Sequence, residues 1–267
     1  MKIWAIATNT LRAFLRDKVL IVIFIVLICF VLLMMTPLLA YKAITTAENA
    51  GSMQALVLGI VAVVMSLLSG GGSLLAAWAG ASSVATEMRS GTIQAVMARP
   101  VKRWQFLAGK YLGVLLLMGC YVPLMFGISY LLAWMGGEHI QAAPWVLIVY
   151  PIVRYAIYAA IAILLVTFMH SAVAFGIVIL ISVFAGLVAP KAPLTAHIPA
   201  WIRAPIYAVL PSTGLLSESR FLSITRTSLQ HTTWLQHLTT LAYGLDYALV
   251  CFLFAVWSFH YRSLRRD

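Results

Sequence analysis

With 267 residues, 63% of them hydrophobic and only 9% charged, at a mean hydropathy of +0.99, this chain lies far outside the roughly 45–50% apolar, 25% charged make-up of soluble domains. A membrane core about 30 Å thick takes about 20 apolar residues per helix, so the length accommodates six spans and one sizeable loop, with no separate soluble domain. The net charge of +11 does not point to a nucleic-acid partner, because most of its basic residues fall on one side of the spans, as a basic face beside anionic headgroups or an acidic partner surface.

Taken in order, residues 1–18 read as an amphipathic helix lying in the membrane interface. Ile3, Ile6, Ala7, Thr10, Leu11 and Phe14 follow helical spacing, and Arg12, Arg16 and Lys18 sit among headgroups. No small-residue cleavage site follows the next apolar run, so a secretory signal is not the reading. Residues 19–41 are uncharged and form the first span, with Pro37 near its far end; residues 42–52 are a short outer loop. The second span, 53–86, is an uncharged run of 34 residues, about 51 Å as a helix, and its excess length projects beyond the lipid. Within it Ser69, Ser73, Ala77 and Ala81 repeat every four residues, a spacing that lets another helix approach closely. Gly70, Gly71 and Gly72 serve either that packing or a hinge, since each glycine weakens a helix by about 1 kcal/mol relative to alanine.

Residues 87–103 are the polar interruption around which the chain is organised. Glu87, Arg89, Arg99, Lys102, Arg103 and, just beyond, Lys110 stand between runs that each cross a bilayer. Thr92 can cap a short helix carrying Ile93, Val96 and Met97 on one stripe, and Pro100 biases Arg99 out of the helical region and stops it. The order Glu87, Gly91-Thr92, Pro100, Arg103 and Gly109-Lys110 resembles the signature loop of type-2 ATP-binding-cassette (ABC-2) permeases. That resemblance implies a cytoplasmic coupling helix between spans two and three that rests in a cleft of a separate ATPase. It also implies an elbow helix at residues 1–18, export as the direction, and a second copy of the chain or a similar permease as partner. Glu87, Arg89, Gly91, Thr92, Ile93, Val96, Met97, Pro100 and Arg103 are then the ATPase-coupling residues. ATP and magnesium belong to that partner, expected in two copies; this chain has no G-x-x-x-x-G-K-[ST] motif and is expected to bind no cofactor itself.

The third span is 104–135, with Pro123 inside it, and a Gly136-Gly137 turn follows on the outer side. The fourth, 145–169, starts at Pro144 or Pro151. The first choice buries Arg154 about 15 Å deep, the second leaves it in the first turn near headgroups. Asp246 is the one acidic residue in the last apolar run, so an intramembrane Arg154–Asp246 pair stands against separate snorkelling of each charge to the interface. The fifth span, 172–189, is short. Residues 190–238 mix prolines, aromatics and arginines and read as short helices on or in the outer leaflet. The sixth span is 239–260, and 261–267 form a basic tail.

Of the eighteen Lys and Arg residues, twelve (Lys2, Arg12, Arg16, Lys18, Arg89, Arg99, Lys102, Arg103, Lys110, Arg262, Arg265 and Arg266) fall on one side of this arrangement. The positive-inside rule makes that side cytoplasmic. The expected fold is therefore an all-α, six-span, multi-pass protein of a bacterial-type inner membrane, with both termini cytoplasmic and lipids as neighbours. Cys29, Cys120 and Cys251 lie in apolar runs without C-x-x-C spacing and read as small hydrophobes. Neither H-E-x-x-H nor G-x-S-x-G occurs, and the histidines at 197, 231 and 237 fall in the outer segment without acidic or thiolate company, so no metal site is expected. Three function classes follow: the permease subunit of an ATP-driven exporter of a lipidic, glycan-linked or hydrophobic substrate; a non-transporting scaffold or accessory subunit; and an intramembrane enzyme.

Overall fold

A computed structural model describes residues 2–44, 50–90, 102–135, 144–187, 210–216 and 234–261. Among these residues every regular element is helical: α1 Lys2–Phe14, α2 Lys18–Ile44, α3 Ala50–Ser90, α4 Arg103–Met135, α5 Pro144–Val166, α6 Ser171–Leu187, a 3-10 turn Thr213–Leu216, and α7 Trp234–Tyr261. Hydrocarbon supplies no hydrogen bonds, so apolar runs of this length must satisfy their own backbone, and the helix does so. Four helices, α3, α4, α5 and α7, are long and apolar enough to cross a membrane; the bent pair α1–α2 makes a fifth if taken as one span. At about 1.5 Å per residue, the 17 residues of α6 fall short of a full crossing.

α1 and α2 meet at 61°. Asp17 makes the corner: its backbone carbonyl accepts from Ile21 N at 3.0 Å, while its Oδ1 caps the new helix by accepting from Val19 N at 3.0 Å. α1 lies along α4 because α4 offers no side chain where they touch. A Cβ added to Gly109 would meet Ile6 at 2.6 Å, and one added to Gly113 would meet Thr10 at 2.7 Å. Ala7, Thr10 and Phe14 are thereby buried, while Trp4, Arg12 and Arg16 remain exposed.

α5 is the central post, enclosed by α3, α4, α6 and α7. Small residues set its distance from α3: a Cβ on Gly80 would lie 2.8 Å from Ala162 and 2.9 Å from the Ala159 carbonyl. On the other side Gly244 of α7 faces Val153 in the same manner, at 2.5 Å. α4 reaches α7 through stacked rings, Tyr111 on Phe252 at 5.1 Å and Phe106 on Phe259 at 6.2 Å. α2 touches mainly α3, and Val22, Ile25, Val26, Leu32 and Leu33 face outward, as suits a helix against lipid. Cys29 and Cys120 are exposed on this surface and not packed inside the bundle.

One boundary selects between two starts that the sequence left open, and one differs from the sequence reading. α5 starts at Pro144 and carries Pro151 within it, so Arg154 belongs to the interior. α7 begins at Trp234, five residues ahead of the expected 239, because its first turn packs on α5: Trp234 stacks on Trp145 at 5.3 Å, and Tyr150 Oη lies 2.7 Å from His237 Nδ1. His237 is thus a helical residue and not part of an outer loop. Of the expected outer-leaflet segment, only 210–216 precede α7 among the described residues. They pack under α5, α6 and α7, held by the Tyr158 hydroxyl donating to Thr213 Oγ1 at 3.0 Å and Ser212 N donating to Tyr243 Oη at 3.0 Å.

Candidate functional site

Gly91, Thr92, Ile93, Val96, Met97 and Pro100 lie outside the described residues, and Arg89 is in the last turn of α3. What the structure describes is the base from which that segment leaves and to which it returns. Glu87, near the end of α3, and Lys110, in the second turn of α4, form an ion pair across the opening. Lys110 is only 5% exposed and its ammonium also lies 5.7 Å from the centre of the Phe106 ring. The buried Lys110 is held in place by Glu87, which is itself only partly buried, and removing Glu87 leaves Lys110 buried without this counter-charge. Glu87, expected to face an ATPase, thus also clamps the two helices.

The return end is built with equal care. Lys102 is the N-cap of α4, and Gln105 at the third helical position reaches back so that its Oε1 accepts from Lys102 N at 3.1 Å. Arg103 then extends to the end of α7, donating from Nη1 to the carbonyls of Phe259 at 3.3 Å and His260 at 2.7 Å. Those carbonyls are among the last of a helix, where no backbone donor remains and the dipole favours a cation. Arg103 and the Phe106–Phe259 stack tie the start of α4 to the end of α7. Sequence reasoning missed Gln105 and the structural part of Lys110; the N-cap spacing Lys102-x-x-Gln105 was the signal for the first.

A second polar cluster sits inside the bundle. Arg154, 6% exposed, donates from Nη2 to Ser69 Oγ at 2.6 Å and to Tyr155 Oη at 3.2 Å, with its guanidinium 5.0 Å over the Tyr155 ring. Asp246 is exposed on α7. The structure does not bring these two together, so of the two alternatives the pair is not formed; Arg154 meets the Ser69 hydroxyl and the Tyr155 ring, because α5 presents it to α3. The glycine triple lies beside this cluster in an unbroken α3. A Cβ on Gly71 would meet Leu27 at 2.7 Å, and one on Gly72 would meet Tyr155 at 2.4 Å and Tyr121 at 2.7 Å, whereas Gly70 faces open space. The Tyr121 hydroxyl donates to the Leu68 carbonyl and that of Tyr155 to the Ser69 carbonyl at 3.2 Å, so Gly72 is where two tyrosines are let in. Of the small-residue stripe, Ser73, Ala77 and Ala81 are buried as expected and Ser69 is half-buried.

Among the described residues no group of three or more His, Cys, Asp or Glu side chains could hold a metal ion. Compared with known proteins, residues 4–264 match the family model described as ABC-2 family transporter protein. No curated protein matches the chain.

Proposed function

Because the chain belongs to the ABC-2 transporter family, and is thus a multi-pass membrane protein and an ABC transporter permease, we propose that it is the force-receiving subunit of an exporter driven by a separate ATPase. In this reading α2 to α7 are the six spans, the short α6 crossing where the bilayer thins to meet it, and α1 is the cytoplasmic elbow. Residues 91–100 hold the coupling helix, with Ile93, Val96 and Met97 filling the ATPase cleft and Arg89 near its rim. ATP and magnesium are bound by the partner, in two copies against a pair of permeases, and both termini lie on the cytoplasmic side of a bacterial-type inner membrane. The apolar bundle suits a lipidic, glycan-linked or hydrophobic cargo better than a small ion.

One observation carries this reading: the base of the 87–103 segment is closed by the Glu87–Lys110 pair and fastened to α7 by Arg103. A push on a segment with splayed ends would be absorbed by bending. With its ends clamped, the push moves α3, α4 and α7 as one body. As a hinge, Gly70 to Gly72 let α3 bend where Tyr121 and Tyr155 pack against it. The test is to purify the complex with its ATPase and reconstitute it in vesicles. Ile93→Asp is expected to leave membrane insertion intact while lowering transport-coupled ATP turnover at least about tenfold, the loss of one buried apolar contact together with the cost of a buried charge. Normal ATP turnover without cargo movement in the unmodified complex would instead favour the scaffold reading.

A further inference from the structure

Under α1 lies a half-open cleft of about 710 Å³, walled by α1, the α1–α2 corner, α3, the second turn of α4 and the start of α6. Its volume is that of a small-molecule site. Its lining is mixed in polarity: Asp17, Glu87 and Lys110 carry charge, Trp78 supplies an aromatic wall, and Thr10 and Ser82 supply hydroxyls. Lys110 is neutralised by Glu87. Asp17 is held by two neutral donors, Val19 N at 3.0 Å and Trp78 Nε1 at 3.2 Å, and forms no ion pair among the described residues; Arg16 and Lys18 beside it in the chain are exposed. Among the described residues the cleft therefore carries one carboxylate more than it has cations to pair, fixed against an indole edge. Deeper along α3, Ser82 Oγ is buried without a hydrogen-bond partner among the described residues, a costly position for a hydroxyl.

We propose that this cleft seats the headgroup of a zwitterionic phospholipid that bears a primary ammonium. The ammonium would donate to Asp17, whose carboxylate favours a cation that can hydrogen-bond to it. The phosphate would take the Ser82 hydroxyl and the remaining donors of Lys110, which has three N–H groups and spends only part of them on Glu87. α1 lies at headgroup depth, so the acyl chains pass from the mouth of the cleft into the leaflet beside it. A quaternary ammonium can donate no hydrogen bond to Asp17, and an anionic headgroup brings no cation. The site thus distinguishes headgroups by chemistry and not only by shape. The bound lipid would fasten α1 to the bundle at the root of the 87–103 segment.

The proposal rests on the interfacial placement of α1 but not on ATPase coupling or cargo. It is read without nucleotide, so its failure and that of the coupling reading are separate. The full chain, delipidated in detergent, is titrated by native mass spectrometry with phosphatidylethanolamine, phosphatidylcholine and phosphatidylglycerol of identical acyl chains. Phosphatidylethanolamine is expected to bind about tenfold more tightly than either, the equivalent of one charge-assisted hydrogen bond. Asp17→Asn keeps one carbonyl oxygen to cap α2, gives up the second acceptor that meets Trp78 Nε1 and removes the charge, and is expected to abolish that preference. Ser82→Leu, which fills the cleft, is expected to lower binding of all three. Equal affinities for the three headgroups, or a preference unchanged in Asp17→Asn, would overturn the proposal. Soluble O-phosphoethanolamine binding as tightly as the lipid would overturn the assignment to a membrane lipid.

Discussion

Lys110 and Glu87 show that a charge in a membrane protein is read more fully beside its partner. From the sequence Glu87 reads as an ATPase-coupling residue; in the fold it is also the partner of the buried Lys110. Lys110→Met is expected to destabilise the protein by about 1–3 kcal/mol, because the partly buried Glu87 loses this cation. The double variant Lys110→Met, Glu87→Leu is expected to recover most of this, and the thermal midpoint in detergent reads both. The glycine triple makes a second residue-scale prediction, with opposite signs at neighbouring positions. Gly72→Ala pushes a methyl into Tyr155 and Tyr121 and is expected to cost about 1–3 kcal/mol. Gly70→Ala meets nothing within 4 Å and is expected to stabilise α3 by about 0.5–1 kcal/mol. Equal melting shifts for the two would count against close packing as the reason for Gly72.

At the scale of elements, the junctions are made where a helix end or a missing side chain lets two helices meet. Arg103 satisfies the final carbonyls of α7, so Arg103→Gln is expected to weaken that end by about 0.3–1 kcal/mol. Hydrogen exchange should then quicken over the last turn before Tyr261 and nowhere else in α7. The α1–α4 contact depends on Gly109, where a side chain would strike Ile6. Gly109→Val is expected to lift α1 from the bundle. A thiol introduced by Ala7→Cys, at a position that is 0% exposed, should change from inert to reactive towards a maleimide when Gly109→Val is added. The element boundaries themselves were legible in outline: runs of apolar residues between charges located α2 to α6 to within a few residues. The start of α7 was not, because Trp234 and His237 look interfacial by composition and become helical only by packing on Trp145 and Tyr150.

For the molecule as a whole, the central place of α5 explains why Arg154 can be buried in a bundle where lone charges are costly. It is met by Ser69 and Tyr155 from within the packed interior, and lipid never reaches it. The six-span reading makes a topological prediction. In a variant lacking the three native cysteines, an impermeant thiol reagent applied to intact cells should label Ser52→Cys and leave Ser263→Cys unlabelled until the membrane is opened. Labelling both from outside would remove the six-span count, and labelling Ser263→Cys but not Ser52→Cys would remove the cytoplasmic placement of the 87–103 segment and the coupling proposal with it.

The sequence alone determined the membrane class, the helical architecture and the family, because transfer of each residue into hydrocarbon is a local property and sums along the chain whatever the neighbours are. It also marked the 87–110 stretch as the place where function concentrates. It could not choose Ser69 over Asp246 for Arg154, pair Glu87 with Lys110, or foresee the cleft under α1. Those outcomes depend on how each helix is rotated and which one it meets. In lipid the apolar faces are nearly equivalent, so that choice falls to a few small residues, Gly72, Gly80, Gly109 and Gly244 among them, whose effect exists only once two helices are side by side.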